Sequence, residues 1–215
     1  MLLRRLIRIF GMAHLVLGAL AATLLLTEPS TRRYGDTLQI VLPVLAWGCS
    51  ATKGDGRDFA MRFVAMLAVA HGSKSLLGDT PLNQRPSGHG HGFPSGHTGA
   101  AALGASSLVH DCLHGSAGAQ AVVVIAAAFV GASRIEVGAH DIWQVLAGAI
   151  LGWVADRALR RDSRVRRGLV AATGRIGLQI RHILRRVRSA SARLIELRSR
   201  PVSYTHLTLP TNREV

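Results

Sequence analysis

Two histidines and several basic side chains interrupt the ends of apolar stretches in this sequence. His97 follows Pro94-Ser95-Gly96 at the start of one stretch, and His140 follows Ser133-Arg134 after five intervening residues. One imidazole can attack phosphorus and hold the phosphoryl group covalently, while a second donates a proton to the leaving oxygen. This pairing favours phosphoryl transfer that uses no metal ion.

Basic residues near these histidines indicate an anion site. Lys74 ends one apolar stretch, Arg85 lies in the polar loop that follows, and Arg134 ends another. Clustered cations at membrane depth repel one another unless an anion lies among them, and arginine pairs with phosphate oxygens in a bidentate way. A helix that begins at Ser95-Gly96 would add free amides and its positive dipole end.

The elements that must position these groups are membrane-length helices. A spanning helix needs about 20 mostly apolar residues, and six stretches approach that length: 6–27, 38–52, 58–76, 95–113, 118–135 and 141–159. The first could instead be a cleaved signal peptide, but no small-residue cleavage site follows Leu26. The sequence therefore predicts an all-α, six-transmembrane-helix bundle.

The distribution of positive charge predicts the orientation of this bundle. Arginines precede the first stretch, and 14 of the 26 Lys and Arg residues lie between Arg157 and Arg200. By the positive-inside rule both ends of the chain are cytoplasmic. The loops from Glu28 to Thr37, Leu77 to Pro94 and Arg134 to His140 then share the opposite side, which brings the polar clusters together.

The C-terminal third divides into two further segments. Residues 161–200, after a membrane domain of residues 1–160, show helical spacing of Ile and Leu among arginines, which predicts a basic amphipathic helix on anionic inner-leaflet lipid. A solvated arginine tail is the alternative, and nucleic acid is not the predicted partner. The Thr-rich residues 201–215 are interpreted as a non-native read-through tail.

Two other residue pairs have competing interpretations. Cys49 and Cys112 lie in apolar surroundings near inner helix ends, which predicts buried thiols without a disulfide. His89 and His91 alternate with glycines, which suggests metal binding. With no third ligand nearby, a mobile loop is the preferred interpretation.

The motifs together resemble the type 2 phosphatidic acid phosphatase superfamily, which also includes the vanadium haloperoxidases, in its bacterial membrane branch. That family reads K-x6-RP, PSGH and SR-x5-H-x3-D on six helices; here Pro94-Ser95-Gly96-His97 and Ser133-Arg134-x5-His140 are intact. The resemblance implies that His140 is the nucleophile and His97 the acid. It also implies phosphate contacts from a wider set of residues: Lys74, Arg85, Ser95, Gly96 and Arg134. No cofactor or metal is implied.

The sequence departs from the family pattern in two places. Ten residues rather than six separate Lys74 from Arg85, and Gln144 stands where the family has aspartate. Because positions i and i+4 share one face of a helix, the Gln144 amide oxygen can accept a hydrogen bond from His140. Asp141, which more plausibly caps the helix, and Glu136 are alternative partners.

The predicted function is hydrolysis of a lipid phosphate or diphosphate, through a phosphohistidine, at the periplasmic or extracellular face of a bacterial cytoplasmic membrane. A weakly active or inactive protein that binds or transports lipid phosphates is the principal alternative, and Gln144 is its best support. Undecaprenyl diphosphate, phosphatidate, phosphatidylglycerophosphate and lipid A phosphates are all candidate substrates.

Overall fold

A computed structural model describes the backbone of residues 2–198 and the side chains of residues 11–188 and 191. In this part of the chain all regular secondary structure is helical, with no strand. Seven α-helices follow in order: α1 (Leu2–Leu26), α2 (Thr31–Thr52), α3 (Gly56–Leu77), α4 (Gly96–Ser107), α5 (Ala117–Glu136), α6 (Ile142–Ala158) and α7 (Arg164–Arg198). The proposed read-through tail, 201–215, and the side chains of the N-terminal arginines lie outside the described residues.

Helix α4 is the centre of the bundle and packs against α2, α3, α5 and α6. Its middle is built from alanine and glycine, which lets the neighbouring backbones approach closely. Larger side chains complete the core: Leu42, Met66, Val123 and Val130 come from the surrounding helices, and Leu103 and Leu108 from α4 and the turn that follows it. A π-helical turn, Leu108–Cys112, continues α4 to the end of the bundle.

Close contact between α4 and α6 depends on Gly148. A side chain there would collide with the carbonyl oxygen of Ser95, which lies at the start of α4. The N-terminus of α6 therefore lies directly against the N-terminus of α4, and this brings the two histidine segments to one end of the bundle.

Helix α2 differs from its sequence prediction. The segment from Glu28 to Thr37 was predicted as a loop, but α2 begins at Thr31, where the Ser30 side chain accepts a hydrogen bond from the backbone NH of Arg33 (3.2 Å). This N-cap extends the predicted 38–52 stretch by almost two turns. Polar residues 31–37 are therefore helical, and the second stretch is not short.

The prediction of unpaired cysteines was wrong. Cys49 at the end of α2 and Cys112 in the π-helical turn form a disulfide, with their Cα atoms 6.3 Å apart. They are 63 positions apart in the sequence, and no local pattern signals this pairing. It arises because α2 and α4 lie side by side and end at the same level.

Buried ion pairs surround that same end. Arg62 on α3 pairs with Asp58 and with the fully buried Asp156 on α6, and Arg160 pairs with Asp111 (2.7 Å) and Asp156 (3.0 Å). Breaking one partner of such a network is costly because it leaves an uncompensated buried charge.

Length and composition single out one of the described helices, Ala117–Glu136, as able to cross a membrane, with Gly11–Leu26 as a shorter apolar helix. The chain divides into a unit that ends at Arg167 and a second that begins at Gly168. The second unit contains most of α7, the predicted amphipathic helix, whose isoleucines and leucines between residues 169 and 184 are exposed.

Candidate active site

Both histidines line one cavity of about 860 Å³, and their part of it lies at the end of the bundle opposite the disulfide. Lys74 from α3, Arg85 from the following loop and Arg134 from α5 line the same cavity. The sequence spreads these residues over more than 60 positions, and the packing of α3, α4, α5 and α6 brings them together. Such a concentration of donors can hold a phosphate-sized anion.

Three hydrogen bonds fix the orientation of Gln144 on α6. Its side-chain nitrogen donates to the carbonyl oxygens of Gln84 (2.7 Å) and Leu82 (3.2 Å), so its amide oxygen faces His140. That oxygen lies 3.0 Å from His140 Nδ1 and can only accept, so Nδ1 bears the proton. In the neutral ring Nε2 therefore keeps its lone pair, as a nucleophile requires.

Burial determines the charge of His140, whose side chain lies in the loop between α5 and α6 and is almost fully buried. Burial lowers the pKa of His140 from 6.5 to about 4; the hydrogen bond with Gln144 opposes this, and the nearby positive charges of Arg85 and Lys74 add to it. At neutral pH His140 is uncharged and therefore able to attack.

Arg134 is held by three hydrogen bonds before any anion binds. Its guanidinium donates to Ser133 Oγ (3.2 Å), to the backbone oxygen of Arg32 (3.1 Å) and to Asp36 Oδ1 (2.7 Å). Its own carbonyl accepts the backbone NH of His140 (3.2 Å), so the turn that bears His140 closes onto the arginine. This backbone hydrogen bond gives a physical reason why five residues separate Arg134 from His140.

The loop between α3 and α4 is organised by the fully buried Asn83. Its amide nitrogen donates to the carbonyl oxygens of Lys74 (2.9 Å) and Gly78 (2.7 Å), and its oxygen accepts the NH of Phe93 (3.0 Å). The additional residues before Arg85 form the last turn of α3 and a 3₁₀ turn, Pro81–Asn83. Lys74 and Arg85 therefore still reach one cavity.

Hydrogen bonds within the loop between α3 and α4 hold Arg85 in place. Its backbone NH donates to the carbonyl oxygen of His89 (2.8 Å), and its guanidinium donates to the carbonyl oxygen of His91 (3.2 Å). The Nε atom of Arg85 is buried without a hydrogen-bond partner, which marks a donor that an anion could satisfy. In the part of the chain that the structure describes, His89 and His91 belong to no cluster of three metal-ligating side chains.

The PAP2 superfamily profile matches residues 12–167, which include every residue of this cavity. The chain belongs to the PAP2 superfamily. No curated protein and no solved structure matches it. Membership in this superfamily of phosphoesterases indicates phosphatase-type activity.

The PAP2 motif residues fall into two groups: those that line the cavity and those that support residues in it. His97, Gly96, Lys74, Arg85, Arg134 and His140 line the cavity. Ser95 is fully buried and caps α4, because its side-chain oxygen accepts hydrogen bonds from the backbone NH (3.4 Å) and the hydroxyl (3.0 Å) of Thr98. It therefore shapes the first turn of α4, whose free backbone amides can bind an anion. Gln144 lies behind His140.

Of the two alternative partners for His140, neither reaches it. Asp141 caps α6, where its carboxylate accepts the backbone NH of Gln144 (2.8 Å), as the sequence suggested. Glu136 accepts a hydrogen bond from the Thr31 hydroxyl (3.2 Å) at the surface.

Sequence reasoning missed Asp36, Gly35 and Asn83. A Cβ atom at Gly35 would lie 2.6 Å from Arg134 Nη2, so only glycine lets α2 approach the arginine this closely. Asp36 was assigned to a loop, although a lone carboxylate at the start of an apolar stretch is a functional signal in its own right.

Proposed function

We propose that this PAP2 protein is a multi-pass membrane phosphatase that hydrolyses a lipid phosphate or diphosphate through a phosphohistidine on His140. The observation that supports this most is the shared cavity, where His140 and His97 lie among the cations Lys74, Arg85 and Arg134. Each group that phosphoryl transfer needs is then present in one place.

The proposed reaction has two halves. His140 Nε2 attacks phosphorus as the bond to the leaving oxygen breaks, and His97 gives its proton to that oxygen. Neutral His97 then takes a proton from water as the water oxygen attacks phosphorus, and the electron pair of the N–P bond returns to His140. Lys74, Arg85 and Arg134 stabilise the charge on the phosphoryl oxygens, and the amides at the start of α4 assist them.

A lipid substrate is supported by the apolar extension of the cavity. Beyond the basic residues the cavity continues between α2 and α3, where Ile40, Val44, Phe63, Val64 and Leu67 line it. Water-exposed apolar walls of this extent are unfavourable, whereas a hydrocarbon chain attached to a bound phosphate would cover them.

Membrane insertion is supported by the outer surfaces of the helices. Large apolar side chains are more than half exposed on several of them, including Val69 on α3, Ile125 on α5 and Ile150 on α6. Exposed apolar surface on this scale fits contact with lipid. The arginines after α6 favour a cytoplasmic location for that end, and so a periplasmic or extracellular active site.

Release of inorganic phosphate tests the proposal directly. Protein purified in detergent is given the four candidate lipid phosphates, beside His140→Ala and His97→Ala. His14→Ala serves as the matched control because His14 is exposed on α1 and lies outside the cavity. We expect activity in the wild type and control alone; equal activity in all four proteins would refute the assignment.

Trapping the intermediate separates turnover from binding. A substrate labelled in the phosphoryl group should leave an acid-labile, base-stable label on the wild type after rapid denaturation, and none on His140→Ala. An anion-binding protein without turnover would bind the lipid and retain no covalent label.

A further inference from the structure

Helix α2 brings one carboxylate into the cavity, that of Asp36. Among the described residues that line the cavity it is the single acidic one. Its Oδ1 atom lies 2.7 Å from Arg134 Nη1 and 3.6 Å from His97 Nε2, and its Oδ2 atom lies 4.0 Å from Arg32 Nε. Asp36 therefore contacts both a phosphate-binding arginine and the proposed acid.

The surroundings of His97 otherwise oppose a positive charge. The imidazole is partly buried, and Arg134 from α5, Lys74 from α3 and Arg85 from the loop line the same cavity; burial and these positive charges all disfavour its protonated form. His140 faces the same cavity and is uncharged at neutral pH. Of the described residues that line the cavity, Asp36 alone carries an opposing charge.

An acid catalyst surrounded by cations needs such a counter-charge. His97 must hold a proton when the substrate arrives, because the leaving oxygen of an alkyl ester is strongly basic. At 3.6 Å a carboxylate is close enough to favour the imidazolium and to restrain the ring. The amide of Gln144 supplies no charge to the histidine pair, so Asp36 supplies the one carboxylate.

We propose that Asp36 is a positioning residue for the acid step, which keeps the His97 imidazole in its proton-donating form and aligns Arg134 beside it. This inference rests on the proposed function. In the step concerned, the proton moves from His97 to the leaving oxygen as the O–P bond breaks and the bond from His140 to phosphorus forms. Asp36 itself gains and loses no proton.

The test compares two substrates that differ in their need for an acid. An alkyl phosphate monoester has a strongly basic leaving group, whereas p-nitrophenyl phosphate releases a stable phenolate without protonation. For Asp36→Asn we expect kcat on the alkyl ester to fall about tenfold or more, since general acids contribute about 10²–10⁴-fold. Turnover of p-nitrophenyl phosphate should change less than about threefold, because the amide oxygen of asparagine can still accept the hydrogen bond from Arg134 Nη1.

The matched control is Glu28→Gln. Glu28 is an exposed carboxylate beside the start of α2, ion-paired with Arg33 at 3.5 Å, and it does not line the cavity. This variant removes the same charge from the same end of the bundle, and both of its rates should match the wild type. Asp36→Glu keeps the carboxylate and should recover part of the alkyl-ester activity.

A pH profile gives the second readout. In Asp36→Asn the alkaline limb of kcat on the alkyl ester should move to lower pH, because His97 then loses its proton more readily among Arg134, Lys74 and Arg85. Thermal unfolding in detergent confirms that the variant is folded.

The outcomes separate the two proposals. Equal loss on both substrates with an unmoved alkaline limb would make Asp36 only an anchor for Arg134 and would overturn the inference, as would no loss on either. A wild type inactive on both substrates, and on lipid phosphates, would refute the proposed function and this inference together.

Discussion

Replacing Gln144 with glutamate changes one heavy atom of a buried side chain and tests the proposed role of His140 as nucleophile. Length and shape are kept, so one carboxylate oxygen still lies near His140 Nδ1, about where the amide oxygen is now at 3.0 Å. The other oxygen meets the carbonyl oxygens of Leu82 and Gln84, to which the amide donates in the wild type. The variant therefore adds charge beside His140 and removes two hydrogen bonds from the loop.

The size of the charge effect follows from the pKa of His140, which is about 4 in the wild type. An adjacent carboxylate raises a histidine pKa by about 1–3 units, which brings it to about 6. At pH 5 the imidazole is then about 90% neutral in the wild type and about 10% neutral in Gln144→Glu. We expect kcat/KM at pH 5, relative to pH 8, to be about ninefold lower in the variant.

Stability against pH is a second consequence of the same pKa. The pKa of His140 is about 4 when folded, below the ordinary 6.5, so the unfolded chain binds the proton more readily. His140 thus costs the wild type about 3 kcal/mol of stability as the pH falls from 6.5 to 4. In Gln144→Glu this pH-dependent loss should shrink, while two unpaired carbonyls lower stability at pH 8 by about 2 kcal/mol or more.

The assay is phosphate release between pH 4 and 9 with a soluble substrate, together with thermal unfolding in detergent over the same range. Gln120→Glu is the matched control, because Gln120 donates to the carbonyl oxygen of Leu113 (3.0 Å) outside the cavity. Two results would refute the proposed effects of burial and of the neutral Gln144 amide on His140. One is a wild-type activity that already falls as the pH drops through about 6.5; the other is an acid limb of the pH–activity profile that is the same in wild type and Gln144→Glu.

Other substitutions probe the support of the site. Gly35→Ala should displace the guanidinium of Arg134 and lower kcat/KM more than about tenfold, whereas Gly48→Ala on the same helix meets nothing within 4 Å and should leave kcat/KM unchanged. Asn83→Ala removes three hydrogen bonds and should raise KM and lower the free energy of unfolding by about 2–3 kcal/mol; an unchanged KM would contradict its role in the loop. Arg62→Met removes the positive charge shared by the buried carboxylates of Asp58 and Asp156 and leaves them only their other arginine partners. It should destabilise the protein by about 3–5 kcal/mol at neutral pH, measured as a lower Tm; an unchanged Tm would show that the network is solvated.

Local patterns were sufficient to predict the helices and the motif residues. Apolar stretches at 95–113, 118–135 and 141–159 correspond to α4 with its π-helical turn, α5 and α6. The hydrogen bond between Gln144 and His140 was also predicted, because the spacing of four residues places them on one helix face. Helical periodicity and short motifs therefore predict where helices lie and which residues close in sequence contact each other.

Contacts between distant segments could not be predicted in the same way. Asp36 lies 98 residues from Arg134, and the disulfide joins residues 63 apart. Both depend on how α2 packs against α4 and α5, which no local pattern specifies. The start of α2 was missed for a related reason: its first two turns are polar, and only the Ser30 cap and tertiary contacts make them helical.

The disulfide between Cys49 and Cys112 makes the two orientation signals of this protein testable in living cells. It lies beside Asp111, the partner of Arg160, at the arginine-rich end that the charge rule assigns to the cytoplasm. A formed disulfide indicates an oxidising compartment, whereas the charge rule places this end in the cytoplasm, where glutathione and thioredoxin keep thiols reduced. Maleimide added at lysis without a reductant labels both sulfurs only if the charge rule is right. Two sulfurs that resist labelling would instead mean that this end of the bundle faces an oxidising compartment. The two histidines would then lie at the cytoplasmic face, and the proposed phosphatase would act on lipids of the inner leaflet.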